Sequence, residues 1–277
     1  MKKSKLNLTT LIFVVGFLIL CAPLVMNFIQ GQHQKDAVSA YKSSVSNKSA
    51  EEIQKLLTEA EEYNNMLFQS NGAVVDNLDT SVLSDESYNS LLDQSNGIMG
   101  SIEIPKIDVD LPIYHGTSDE VLEVGIGHIQ GTSLPIGGEN THCVLSGHRG
   151  LPGSKLFTRL DEMEEGDLFF LQVLGETLAY KVYNIQVVEP DDVSVMEIQA
   201  GRDDCSLITC TPYGLNTHRL VVTGERVPYE KAQYDSIDGQ LPSIREILFM
   251  VIPFVLLGTG IALKIRDRRR QKHEKQA

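Results

Sequence analysis

The sequence predicts a mostly β fold, a closed or nearly closed barrel of short strands between two apolar terminal segments. Three observations support this fold class. Short apolar runs separated by turn residues recur from residue 99 to residue 230. No Asp, Glu, Lys or Arg lies between Lys5 and Lys35. A second apolar segment follows at residues 247–263. The 277 residues suffice for one domain of ordinary size with an N-terminal extension.

The first segment, residues 1–33, predicts an N-terminal membrane anchor or a signal peptide. Its apolar run begins at Leu11 and is long enough to cross a bilayer. A cleaved signal is the competing interpretation, but no Ala-x-Ala cleavage site follows the run. We therefore expect an uncleaved anchor.

Residues 34–98 predict a helical extension followed by a lid-like loop. Apolar residues recur at helical spacing between residues 50 and 69, with glutamates on the opposite face. Residues 71–94 are polar and show little apolar periodicity apart from Tyr88, Leu91 and Leu92. Loops of this length are often functional lids.

From residue 99 the pattern is that of strands, and residues 99–230 form the predicted barrel domain. The predicted strands cover residues 101–104, 111–114, 142–145, 167–174, 178–188, 205–209 and 219–223. A short helix is expected at residues 156–162 and a helical turn at residues 193–199. Many short strands separated by turns are typical of a barrel.

A linker at residues 231–243 leads to a predicted transmembrane helix at residues 244–263 and a basic tail at residues 264–277. Bases beside an apolar segment mark the cytoplasmic side of a membrane. We therefore expect a cell-membrane protein with both termini cytoplasmic and its body extracytoplasmic. A buried core helix is the alternative for the second apolar segment.

The charge distribution indicates which kinds of partner the protein could bind. The formal net charge is −13, although both termini are rich in lysine and arginine, so the body is more acidic than the whole. An acidic body argues against nucleic-acid binding and would attract a cationic group such as a lysine amine. Four scattered cysteines do not suggest a disulfide framework. No metal-ligand spacing appears, and we expect neither a metal nor a cofactor.

Three residues at predicted strand ends form a candidate acyl-transfer site. Cys210 ends an apolar strand just before Pro212, and Arg219 begins the next strand. His148 follows another apolar strand. A thiol, an imidazole and a guanidinium at one sheet edge could form and resolve a thioester.

These motifs resemble those of the sortases, the cysteine transpeptidases of Gram-positive bacteria. The resemblance rests on three segments. They are SLITCTP at residues 206–212, followed by Arg219, GTSLP at residues 131–135 and SGHRG at residues 146–150. The pattern is most similar to class C, the pilin polymerases. The resemblance implies an eight-stranded sortase barrel, membrane anchors at both ends and a substrate groove shaped by Thr209. Class C members carry an Asp-Pro-aromatic plug in the lid, which residues 71–94 lack.

The expected roles are Cys210 as nucleophile, His148 as general acid and base, and Arg219 as the stabiliser of the oxyanion and substrate. Arg149 is the alternative cation. The rival histidines are His115, His128, His142 and His218. With ordinary pKa values of about 8.5 and 6.5, a thiolate–imidazolium pair would be about 1% of the neutral pair. Either the site stabilises that ion pair or the enzyme uses the minor fraction.

The expected substrates are pilins or surface proteins with LPXTG-like sorting signals. We expect transfer of the cleaved signal to a lysine amine of another pilin. The alternatives are a sortase that anchors proteins to peptidoglycan, a non-catalytic pilus-assembly scaffold and a simple hydrolase.

Cys143 and Cys205 each lie five residues before a candidate catalytic residue. If their strands are parallel neighbours, the two thiols lie at one level, about 5 Å apart. The odd offset points them away from the catalytic groups. We expect buried free thiols, with a disulfide as the alternative.

Overall fold

The computed structural model describes residues 8–72, 85–94, 97–151, 153–239 and 244–274. The chain divides into two compact units, one of residues 29–239 and one of residues 1–28 with 240–277. The larger unit contains the barrel.

Within the described residues, eight strands close into a barrel, which is the form that the family resemblance implies. They are β1 (Ile98–Ile104), β2 (Val109–His115), β3 (Ile126–His128), β4 (Thr141–Ser146), β5 (Leu168–Val173), β6 (Glu176–Val188), β7 (Asp203–Thr211) and β8 (His218–Val227). The order around the barrel is β1-β2-β3-β4-β7-β8-β6-β5, and β5 pairs with β1 to close it. The β2–β3 and β4–β7 pairs are parallel and the other pairs are antiparallel.

Alternation along the strands separates the barrel interior from its outer face. All eight strands contribute side chains to one large buried cluster, which fills the interior. A small second cluster of Val144, Ile208 and Val221 lies on the outer face of β4, β7 and β8. The predicted catalytic residues continue this outer face.

Helices of the N-terminal extension pack against the barrel. They are α1 (Leu8–Ser46), α2 (Ala50–Gly72) and α3 (Asp85–Ser90), and each buries one tyrosine in the large cluster: Tyr41, Tyr63 and Tyr88. The Tyr41 hydroxyl donates to the Met99 carbonyl at 3.1 Å and accepts from the Leu174 N–H at 2.9 Å. The helix predicted between residues 50 and 69 is confirmed as α2.

The lid-like loop is only partly described. Residues 73–84 lie outside the described residues, so the lid prediction is not tested there. Residues 85–92 are not the surface loop that we predicted, because Tyr88, Leu91 and Leu92 are buried. The Tyr88 hydroxyl lies 2.9 Å from Nδ1 of His128 and accepts from the Gly116 N–H at 2.9 Å.

Two elements between β2 and β4 were not predicted. Helix α4 (Asp119–Val124) connects β2 to β3, and β3 pairs with β2 in parallel and with β4 in the antiparallel sense. A three-residue strand with a central glycine, Gly127, has too short a pattern to register as alternation. A short helix, α5 (Lys231–Asp235), occupies the start of the predicted linker.

The terminal unit contains the first part of α1 and helix α6 (Ile244–Glu274). Phe17 and Phe254 meet edge to face, with ring centroids 6.3 Å apart. Within the described residues, one helix is long and apolar enough to cross a membrane, the segment of residues 11–46, in which the most apolar stretch of 18 residues has a mean hydropathy of 2.6. This confirms one N-terminal apolar helix, while the second span stays a prediction.

Candidate active site

Cys210 and Arg219 occupy directly paired positions of β7 and β8. Opposed residues of an antiparallel pair project from the same face of a sheet. Both residues are half-buried, and their side chains therefore lie together on the outer face. They are two residues along their strands from the Ile208–Val221 pair, which lies on the same face. Strand β7 ends at Thr211, just before Pro212, as the sequence predicts.

His148 reaches the same edge through the parallel pairing of β4 with β7. The pairing ends at Ser146 opposite Ile208. The Gly147 N–H continues it by donating to the Ile208 carbonyl at 3.1 Å. The next residue, His148, is half-buried and lies level with the end of β7. The structure thus brings His148, Cys210 and Arg219 to one edge.

Thr209 faces away from that edge. Its side chain is 2% exposed, and its hydroxyl donates to the Gly147 carbonyl at 2.7 Å. This contact ties the segment before His148 to the strand that carries Cys210. A direct contact of Thr209 with substrate stays a prediction, and the contact described here is structural.

Arg149 is not available as a free cation. Its side chain is 4% exposed and forms an ion pair with Asp161. It also donates from Nη1 to the Thr211 hydroxyl at 3.1 Å. Arg219 is instead half-buried and lies directly opposite Cys210, and its role as the stabilising cation stays a prediction.

The rival histidines have other partners. His128 is buried against Tyr88, and both ring nitrogens of His115 contact carbonyls, those of Gly97 and Leu91. His218 lies beside Glu189 on the surface, with Nε2 and Oε1 3.3 Å apart.

The sequence analysis missed a row of hydrogen-bonded polar side chains on the outer face, which are buried beneath the β6–β7 connection. His142 donates from Nδ1 to the Glu197 carbonyl at 2.8 Å, and its Nε2 lies 2.7 Å from the Ser206 hydroxyl. Ser206 in turn lies 2.8 Å from the Thr223 hydroxyl. Burial lowers the pKa of His142, although the bond to Glu197 opposes the shift. The even offset of Ser206 from Cys210 was the available signal, because both residues share one face.

This row holds the β6–β7 connection over the outer face. Val195 and Met196 of that connection pack on the Val144–Ile208–Val221 cluster. The β6–β7 connection therefore covers the part of the outer face next to Cys210 and Arg219.

The arrangement suits acyl transfer. A thiol can attack a carbonyl, an imidazole can move the protons, and a fixed cation can stabilise the oxyanion. Together, the closed barrel and this edge define a cysteine acyltransferase.

Comparisons with known proteins agree with this class. The family model described as Sortase domain matches residues 102–227. Sortase D of Bacillus subtilis (strain 168) is 36% identical over 131 residues, which are 46% of this chain and 63% of that protein. The chain thus spans less than two thirds of that curated relative.

Solved structures match over more of their length. The crystal structure of sortase C1 from Streptococcus agalactiae is 45% identical, with a TM-score of 0.64 over 70% of this chain and 100% of that chain. Sortase C of Clostridium perfringens, solved with the C-terminal cell wall sorting motif, is 42% identical, with a TM-score of 0.60 over 70% of this chain and 99% of that chain. The chain belongs to the sortase family of cysteine transpeptidases, and within it to class C.

Proposed function

We propose that this protein is a membrane-anchored sortase that cleaves an LPXTG-like sorting signal and joins it to a lysine amine of another pilin subunit. The observation that carries the proposal is the pairing of Cys210 with Arg219 beside the segment that holds His148. The sorting motif in the Clostridium perfringens structure supports this class of substrate.

In the proposed mechanism the proton of the Cys210 thiol passes to His148, the sulfur attacks the threonine carbonyl of the Thr-Gly bond, and Arg219 stabilises the oxyanion. The carbon–nitrogen bond then breaks, and the glycine amine leaves with a proton from His148. A thioester joins the threonine to Cys210. A lysine amine attacks that thioester and gives its excess proton to His148, and the carbon–sulfur bond breaks to leave an isopeptide.

Transfer to peptidoglycan is the second candidate. It is favoured by residues 71–94, which contain no proline and so no Asp-Pro-aromatic plug.

A transfer assay separates these functions. Full-length protein in detergent is incubated with a pilin that carries a sorting signal, with either a lysine-containing pilin or a peptidoglycan precursor as acceptor. We expect covalent pilin multimers by mass spectrometry, and no cleavage with Cys210→Ala. Cleavage by Cys210→Ala within tenfold of wild type would reject the nucleophile, and products only with the precursor would favour anchoring.

We also propose that α6 crosses the membrane, so that both termini are cytoplasmic. Its apolar side chains support this, since Leu248 and Phe254 are 52% and 59% exposed. A C-terminal epitope tag should resist protease in intact protoplasts and be digested after permeabilisation. Digestion in intact protoplasts would reject this topology.

A further inference from the structure

Two side-chain contacts bracket the junction between the β4 segment and β7. The Thr209 hydroxyl bonds to the Gly147 carbonyl at 2.7 Å, and Arg149 Nη1 bonds to the Thr211 hydroxyl at 3.1 Å. Gly147 and Arg149 flank His148 in the chain, while Thr209 and Thr211 flank Cys210. The contacts therefore join the neighbours of His148 to the neighbours of Cys210 on both sides.

The guanidinium of Arg149 is itself held in place. Asp161, in the 3₁₀ turn Leu160–Glu162, forms an ion pair with Nη2. The intervening segment folds back on itself, because the Phe157 N–H donates to the His148 carbonyl at 3.1 Å and the Gly150 N–H to the Thr158 hydroxyl at 3.1 Å. Arg149 thus links a compact segment to the end of β7.

We propose that Arg149 is a positioning residue that fixes His148 relative to Cys210 by joining Asp161 to Thr211. The inference rests on the proposed roles of His148 and Cys210. A planar guanidinium can contact Asp161 and Thr211 at once with different nitrogens, whereas a lysine has one nitrogen on a flexible stem. Misplacing a catalytic group by about 1 Å can cost about 100-fold in rate.

The test compares variants of the full-length protein in detergent. Arg149→Lys keeps the charge and loses the fork, and Thr211→Val keeps the shape and loses the hydroxyl. We expect kcat for cleavage of a sorting-signal peptide to fall about 10- to 100-fold in each, with KM within about threefold of wild type. Thr211→Ser retains the hydroxyl and should restore most of kcat.

Arg159→Lys is the matched control. Arg159 is as buried as Arg149 and pairs with Glu162 of the same turn, with Nη2 and Oε2 2.7 Å apart, but it does not reach β7 through that pair. We expect kcat of Arg159→Lys to stay within about threefold of wild type. This substitution alters the packing of the same segment but keeps the hydrogen bond between Arg149 and Thr211.

A second readout separates positioning from a general structural role. The rate of Cys210 alkylation is measured against pH, with the modified cysteine identified by peptide mass spectrometry. Because moving an imidazolium relative to a thiol changes how strongly it favours the thiolate, we expect the pH profile of alkylation to differ from wild type in Arg149→Lys and Thr211→Val. It should not shift in Arg159→Lys.

The proposal is wrong if Arg149→Lys and Arg159→Lys behave alike in both readouts, or if Thr211→Val keeps wild-type kcat and pH profile. Thr211→Val decides the matter alone if Arg149→Lys does not fold. Persisting cleavage by Cys210→Ala would instead reject the proposed function, so the two failures are distinguishable.

Discussion

Arg219 reaches the barrel edge already held by the backbone. Its Nη1 donates to the His218 carbonyl at 3.1 Å and to the Asn216 carbonyl at 3.4 Å. These bonds occupy one nitrogen and aim the guanidinium, which has further donors for an oxyanion beside Cys210. A lysine at this position could satisfy the carbonyls or the oxyanion but lacks the fork for both.

We therefore expect Arg219→Lys to lower kcat for peptide cleavage about 100-fold or more. Steady-state kinetics check this, with Arg226→Lys as the control, because Arg226 lies at the opposite end of the same strand, beside Asp203. Near-normal turnover by Arg219→Lys would assign the oxyanion role to another group.

At this scale the sequence predicts which residues lie at the same end of neighbouring strands but not every contact they make. Cys210, His148 and Arg219 could be chosen because each follows or begins an apolar strand at a turn. The inward direction of Thr209 was also predictable, since neighbours on a strand face opposite sides. The pairing of Arg149 with Asp161 was not, because it depends on how the segment between them folds.

Among the elements, the β6–β7 connection is bound by a histidine whose burial favours its neutral form. His142 joins Glu197 of this connection to Ser206 of β7, and burial lowers its pKa. Below the ordinary histidine pKa of about 6.5, His142 is protonated in the unfolded chain, whereas its lowered pKa keeps it neutral to a lower pH in the folded protein. Stability from this group is therefore present above that pH and is lost as the pH falls below it.

We expect His142→Gln to reduce this loss of stability between pH 7.5 and pH 5.5, where a single proton changes the free energy of unfolding by at most about 1.4 kcal/mol per pH unit. Denaturant unfolding followed by near-UV tyrosine circular dichroism measures it, as the chain has no tryptophan. His218→Gln, a change at a more exposed histidine, is the control. An unchanged pH dependence in His142→Gln would contradict the expectation.

Long elements were easier to predict than short ones. Helix α2 and the β5–β6 hairpin have enough residues to show a period. Strand β3 and helix α3 do not, and they are stabilised mainly by packing, as the burial of Tyr88 in α3 shows. Such tertiary stabilisation leaves little trace in a local pattern.

At the scale of the whole molecule, the pairing of β4 with β7 places two cysteines together in the barrel interior. Cys143 and Cys205 are paired residues of the parallel β4 and β7 strands, which confirms the predicted level. Both are buried free thiols in the interior cluster, away from the outer face of Cys210. Burial and the neighbouring Cys143 raise the pKa of Cys205. Closure itself, through β1 and β5, was predictable only as a type of fold, because the register of distant strands is not a local property.

We expect four free thiols in the denatured, unreduced full-length chain, which has four cysteines in total. Directly paired parallel strands rarely meet disulfide geometry, so the two interior thiols should react with a maleimide once the chain is denatured. Intact mass spectrometry counts the adducts. Cys143→Ser and Cys205→Ser should each lose one adduct, whereas two adducts in the wild type would indicate a bridge.

Closure of the barrel also limits how the protein can recognise an extended peptide. Strand β7, which carries Cys210, pairs with β4 on one side and with β8 on the other. Recognition by β-augmentation draws its affinity from main-chain hydrogen bonds to an exposed strand, and the paired length of β7 offers none. We therefore expect a peptide at Cys210 to be selected mainly by its side chains, against the loops around that residue. Exchanging those loops, with the barrel untouched, is therefore the direct route to a changed peptide preference.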